Sequence, residues 1–172
     1  MNINKIKFLM SLALCMLPIV LPSCGNGSSA LSESNRAKIY TAVIKRLYED
    51  YRPPPSAVGY MTKYFIEESG GGKTSVGGPV SQSLQKAISS SLADMHKTFV
   101  WVDNITDVPK DISSGGGCQI VLGNIHLQRN NSVQVTASVY FGGTGGGGTT
   151  YIVELIDGVW TVTGKTGSSW IS

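Results

Sequence analysis

The chain has 172 residues, with 14 lysines and arginines against 11 aspartates and glutamates, a length that suits one ordinary globular domain rather than two. Lys5 and Lys7 sit in an amino-terminal leader; without them 12 basic residues face 11 acidic ones, so the formal charge of +3 is no sign of a nucleic-acid partner. Three cysteines, at 15, 24 and 118, are too scattered for a disulfide framework or a zinc cluster.

Lys5 and Lys7 precede an apolar run, Phe8 to Leu21, which is too short for a stable bilayer span and has the length of a secretory signal core. It ends in Leu21-Pro22-Ser23-Cys24-Gly25: an aliphatic residue three before a cysteine and a small residue just before it. This stretch resembles the lipobox of bacterial lipoproteins, with Pro22 where Ala, Ser or Thr is more usual. The resemblance implies removal of residues 1–23, a diacylglycerol thioether on Cys24 and acylation of the new amino terminus by a fatty acid such as palmitate. Membrane lipid would then be the first partner. Gly25 stands where some Gram-negative species read an aspartate as inner-membrane retention, so the resemblance implies the outer membrane. The alternative is a plain secreted protein cleaved after Ser28-Ser29-Ala30, a small-x-small site.

Cleavage before Cys24 leaves 149 residues, the 172 less 23. Cys118 then stands alone, a buried small hydrophobe rather than a nucleophile; a bridge between Cys24 and Cys118 requires that Cys24 escape lipidation. Residues 24–33 read as the lipidated cysteine and a Gly/Ser/Asn tether, and 34–172 as a single domain.

Ala37, Tyr40, Val43, Ile44, Leu47, Tyr48 and Tyr51 recur at three- and four-residue intervals, which predicts an amphipathic helix with a Ser or Asn cap before it and Pro53-Pro54-Pro55 after it. Val58 to Ile66 fits a short strand or a helical turn equally. Glu67-Glu68-Ser69-Gly70-Gly71-Gly72-Lys73-Thr74-Ser75 imitates a phosphate loop, but Glu67 occupies the first required glycine position and a second turn, Val76-Gly77-Gly78-Pro79, intervenes before any helix. A flexible connector is expected there, and no nucleotide. Val80, Leu84, Ala87, Ile88, Leu92 and Met95 trace a second helix, and Thr98 to Val102 a strand.

Cys118, Ile120 and Leu122 alternate in one parity and Ile125 and Leu127 in the other, which predicts a bulge at Gly123-Asn124. Asn130-Asn131 reads as a turn, Val133 to Phe141 as a strictly alternating strand, and 142–148 as a flexible glycine loop; its formal G-x-G-x-x-G lies between strands rather than before a helix. Tyr151, Val153 and Leu155 make another strand, and Asp157-Gly158 a two-residue hairpin turn leading to Trp160 and Val162.

The sum is an α+β domain: two amphipathic helices on a curved antiparallel meander of four to five strands. That order, closing on Asp157-Gly158-Val159-Trp160-Thr161-Val162, resembles the cystatin-like and NTF2-like families. The resemblance implies a sheet wrapped around a helix, often with a conical pocket, and transfers no catalytic residue.

Chemical signals are sparse. His96 and His126 are the only neutral-pH acid-base side chains, and each suits a structural place. Asp103, Asp107 and Asp111 lack the ligand spacing and glycine of a calcium loop. No catalytic residue, cofactor or metal ligand is assigned. The expected function is a membrane-tethered binding or envelope-accessory module, acting through its concave sheet face or glycine loops on an unknown protein or small molecule. The alternatives are a pocketed enzyme using Tyr40 or Tyr60 with a carboxylate, and an inhibitor or immunity-type lipoprotein that blocks a partner.

Overall fold

The computed structural model describes residues 31–69, 73–104, 107–108, 116–141 and 145–171, and leaves out the side chains of 67–69, 73–75, 168 and 170. One compact unit runs from Leu31 to Ser172. The leader, Cys24 with its tether to residue 30, the centre of the 67–75 stretch, Asp111 and residues 142–144 lie outside the described residues.

Helix α1, Glu33–Tyr51, begins where the Ser32 hydroxyl accepts the backbone N–H of Asn35 at 3.2 Å. It stops because Arg52 turns into the left-handed region (φ 47°), its N–H donates to Tyr48 O at 2.9 Å, and the proline run beyond cannot continue a helix. Its apolar stripe, Ala37, Ile39, Tyr40, Val43, Ile44, Leu47 and Tyr48, is buried in the core. Helix α2, Gln82–Ser91, starts from a second serine cap, Ser81, and continues into a 3₁₀ turn, Ala93–Met95. Val80, Leu84, Ile88 and Leu92 fall on one face and are buried, as their spacing predicts. Glu33 joins the two helix starts: its Oε1 accepts from the Ser83 hydroxyl at 2.8 Å and from Ser81.

Among the described residues eight strands form one mixed, mostly antiparallel sheet: β1 Val58–Thr62, β2 Tyr64–Ser69, β3 Lys73–Pro79, β4 Phe99–Val102, β5 Gly117–Leu127, β6 Ser132–Tyr140, β7 Gly146–Ile156 and β8 Val159–Ile171. β5 to β8 are the expected meander. The count of four to five strands is corrected by the ambiguous segment and the glycine stretch after it. Val58 to Ile66 falls in two strands, β1 and β2; β1 pairs parallel with both β4 and β5, and β2 joins β5 in parallel at Ile66. The described arms of the stretch 67–75 are strand, not connector. Glu68 pairs with Thr74 and Ser69 with Lys73, so its arms are β-hairpin strands, and Val76-Gly77-Gly78-Pro79, read as a turn, is the rest of β3. β3 ends the sheet on that side, where a proline without an N–H is tolerated.

In the meander the alternation holds. Val133, Val135, Ala137 and Val139 of β6 point into the core, and the register shift between Leu122 and Ile125 is the bulge anticipated at Gly123-Asn124. Asn130 (φ 63°) and Asn131 (φ 58°) turn β5 into β6; Asp157 (φ 49°) and Gly158 (φ 79°) turn β7 into β8, the left-handed pair that a two-residue hairpin requires. The glycine loop is corrected over part of its length. Gly146, Gly147 and Gly148 are strand, opposite Tyr140, Val139 and Ser138. A Cβ on Gly147 would lie 2.1 Å from Tyr51 Cε1, so glycine is there because an α1 ring occupies the side-chain position.

Candidate functional site

The most concentrated polar chemistry lies at the carboxyl end of α1. Asp50 stands in the last turn of that helix, where partial negative charge already collects, and no basic residue of the turn offsets it. Compensation comes from elsewhere. Arg46, one turn earlier, places Nε 3.1 Å from Asp50 Oδ1; Lys165 of β8 places Nζ 2.9 Å from Oδ2; and the Tyr151 hydroxyl of β7 donates to Oδ2 at 2.8 Å. The carboxylate is only 12% exposed. Burial pushes its pKa up, but the Lys165 and Tyr151 hydrogen bonds and the charges of Lys165 and Arg46 outweigh burial and hold it below the usual carboxylate range. The same environment pushes the Tyr151 hydroxyl up, first through burial and then through the Asp50 bond.

A cleft of about 330 Å³ opens beside this cluster, lined by Arg46, Val162, Thr163, Gly164 and Lys165. Both Asp50 oxygens are taken, and Tyr151 stays protonated at neutral pH, so the cluster fastens α1 to β7 and β8 rather than presenting a free base. A carboxylate so close to a helix carboxyl end breaks a local rule, and that is the signal by which Glu49-Asp50 before Arg52-Pro53 could have been singled out in the sequence.

A second, shallower cleft of about 420 Å³ runs between α1 and the 3₁₀ turn, lined by Lys45, Tyr48, Glu49, Arg52, Pro53, Asp94, Met95 and Lys97. Lys45 pairs with Asp94 at 2.6 Å, and Lys97 Nζ donates to Pro55 O at 2.6 Å. Behind this cleft, the Tyr48 hydroxyl and Cys118 Sγ share a hydrogen bond of 3.3 Å in the core. Burial pushes the thiol up despite the Tyr48 bond and the charge of Lys97, which keeps it protonated and unreactive. His126 lies eight residues along the same strand, about 27 Å away at strand rise, and His96 is exposed in a left-handed cap. Cys118 is a free, buried cysteine, as its isolation in the sequence predicts.

The remaining sequence candidates are dispersed. Tyr40 is fully buried, stacked on Phe65 at 5.2 Å, and donates to Gly123 O at 3.1 Å, so it closes the bulge from the helix side. Tyr60 lies on the opposite sheet face, in register with Gln119. Asp103 pairs with Lys63 at 2.9 Å, while Asp107 Oδ2 accepts the Asn104 N–H at 2.9 Å; no group of three metal-ligating side chains exists among the described residues. The α1 stripe and Leu84, Ile88 and Leu92 pack with the strand residues in one core.

Gln119 was not anticipated. It belongs to a row Tyr60, Gln119, Tyr140, Gly146 across β1, β5, β6 and β7, on the face away from α1. The residue is 6% exposed and its Nε2 has no hydrogen-bond partner among the described residues. Strand alternation marks Gln119 as outward, and only the tertiary structure shows it buried. Compared with known protein families, characterised proteins and solved structures, the chain has no match.

Proposed function

We propose that the protein is an exported bacterial lipoprotein, anchored to the cell envelope through an acylated Cys24, whose α+β domain serves as a binding or accessory module. The observation that carries the reading is the ordered signal at the amino terminus: Lys5 and Lys7, the apolar run to Leu21, Ser23 and Cys24, with a compact domain starting only seven residues later at Leu31. Acyl chains contribute about 0.8 kcal/mol per buried methylene, and two or more hold a small domain stably where one is marginal. The domain supports a binding role better than a catalytic one. Tyr40, Tyr48 and Tyr151 are committed to packing and hydrogen bonds, Asp50 is saturated, and Cys118 has a tyrosine rather than a base beside it.

Fractionation of a bacterial host expressing the full chain tests this. The wild type should incorporate labelled palmitate and stay with membranes through a high-salt wash, and the Cys24→Ala variant should do neither. Equal release of both into the soluble fraction would defeat the proposal in favour of a plain secreted protein cleaved after Ala30.

A further inference from the structure

Four of the exposed large apolar side chains gather at one end of the sheet, while Tyr64, Val76, Val100 and, near Tyr51 at the other end of β8, Ile171 are exposed singly. Leu155 is 47% exposed, Ile156 45%, Val159 63% and Leu127 53%. The first three surround the Asp157-Gly158 turn between β7 and β8. Leu155 pairs with Trp160 and Ile156 with Val159, so alternation puts apolar groups on both faces of the hairpin tip. Leu127 closes β5 two strands away, opposite Val133, which in turn faces Val153 of β7. An apolar tip of this kind on a small domain marks a contact surface rather than a stability element.

The amino terminus of α1 sits at this same end. Trp160, the partner of Leu155, reaches Asn35 in the first turn of α1, Nε1 to Oδ1 at 3.4 Å, and Leu31 packs against the core beside it. Cys24 precedes Leu31 by seven residues, so a fully extended chain holds it within about 25 Å of that point. The opposite end of the domain, with Arg52 and Ser56, lies a helix of 19 residues away, about 28 Å.

We propose that the β7–β8 hairpin tip, with Leu127 beside it, dips into the lipid surface to which Cys24 is anchored, so that the domain rests tip-down on the bilayer and turns its Arg52 end toward the surrounding space. This rests on the lipoprotein reading, which supplies the membrane; the geometry supplies the orientation. The tip carries one carboxylate, Asp157, and its contact is with the acyl boundary rather than with headgroup charge. It therefore forms on neutral phosphatidylcholine and withstands high salt.

The test uses the full lipidated chain reconstituted in phosphatidylcholine vesicles, with an environment-sensitive fluorophore on Val159→Cys, on Leu127→Cys, or on Ser56→Cys as the far-end control. Cys118 is buried and stays unlabelled. Labels at 159 and 127 should shift to the blue and be quenched several-fold more than the label at 56 by nitroxide-bearing lipid. If the mass of the amino-terminal peptide shows lipid on Cys24 but all three labels are quenched alike or not at all, the orientation is wrong while the anchor stands. If Cys24 carries no lipid, the anchor reading fails and the inference falls with it. Blue-shifted tip labels that lipid does not quench, or that shift equally in Cys24→Ala without vesicles, would mean that a protein surface or the tether covers the tip, and would overturn the proposal.

Discussion

Replacing Gly59 by alanine asks whether the β1–β4 side of the sheet is packed as described. A Cβ at residue 59 would lie 2.7 Å from Phe99 Cδ1, 2.9 Å from Phe99 Cε1 and 2.7 Å from the Tyr48 hydroxyl oxygen. Neither ring can yield freely. Tyr48 is buried and bonded to Cys118, and Phe99 meets it edge-on at 5.6 Å. Overpacking of this kind costs about 1–3 kcal/mol, while exchanging glycine for alanine in a regular element returns roughly 0.5–1 kcal/mol. The net expectation is a loss of about 1–2 kcal/mol, which for a domain of this size lowers the melting temperature by roughly 3–8 °C. Urea and thermal unfolding followed by circular dichroism read this directly. Phe99→Leu should rescue part of the loss, with a coupling of about 1 kcal/mol in a double-mutant cycle. Gly78→Ala, where a Cβ meets nothing within 4 Å, should leave stability level or slightly raised. Gly59→Ala as stable as the wild type, or additive with Phe99→Leu, would refute the packing.

Asp50→Asn removes the shared partner of Arg46 and Lys165 and should destabilise by about 1–2 kcal/mol, between the values for exposed and buried pairs. Because the native carboxyl is held below its ordinary value, its contribution is complete above about pH 4 and is lost as pH falls through the native pKa; the gap between wild type and variant in urea titrations should narrow below that point. The Tyr40, Tyr48 and Tyr151 hydroxyls are all pushed up, chiefly by burial, so they stabilise the fold below about pH 10 and that contribution is lost as pH rises further. Absorbance at the tyrosinate band should therefore rise together with loss of circular dichroism, and the Cys118 thiol should react with a disulfide reagent only in that same transition. Gln119→Leu removes a desolvated amide whose Nε2 is unpartnered and should be neutral or stabilising by about 1 kcal/mol; a loss of more than that in urea unfolding would show that the amide holds a bridging water.

What the sequence disclosed depended on whether a pattern was local. The three- and four-residue spacing from Ala37 to Tyr51 and the prolines after Arg52 mark α1, because amphipathicity acts within one turn; the cap, legible only as some Ser or Asn before that pattern, is Ser32. Asn130-Asn131, Asp157-Gly158 and the parity change at Gly123-Asn124 were readable because turn residues and alternation are local as well. The parallel pairing of β1 with β4 and β5 was not, since no neighbouring residue specifies a partner that lies as far along the chain as Phe99 does from Gly59 or Gly117 from Val58. Glycine misled for a related reason. Gly146 to Gly148 look like a loop in sequence and are strand paired with β6, with glycine at 147 because Tyr51 of α1 occupies the side-chain position, and Gly77-Gly78 look like a turn and belong to an edge strand. The charged cluster was visible only as two acids at a helix carboxyl end; its cations and tyrosine arrive from one turn earlier and from β7 and β8.

The account stands on Cys24 as the first residue of a lipid-anchored chain. Mass spectrometry of the amino-terminal peptide of the protein, extracted by detergent from bacterial membranes, decides this. The expected peptide begins at Cys24 and carries the mass of a diacylglycerol thioether with an acylated amino group. A peptide beginning at Leu31, or one beginning at Cys24 without lipid, would contradict it.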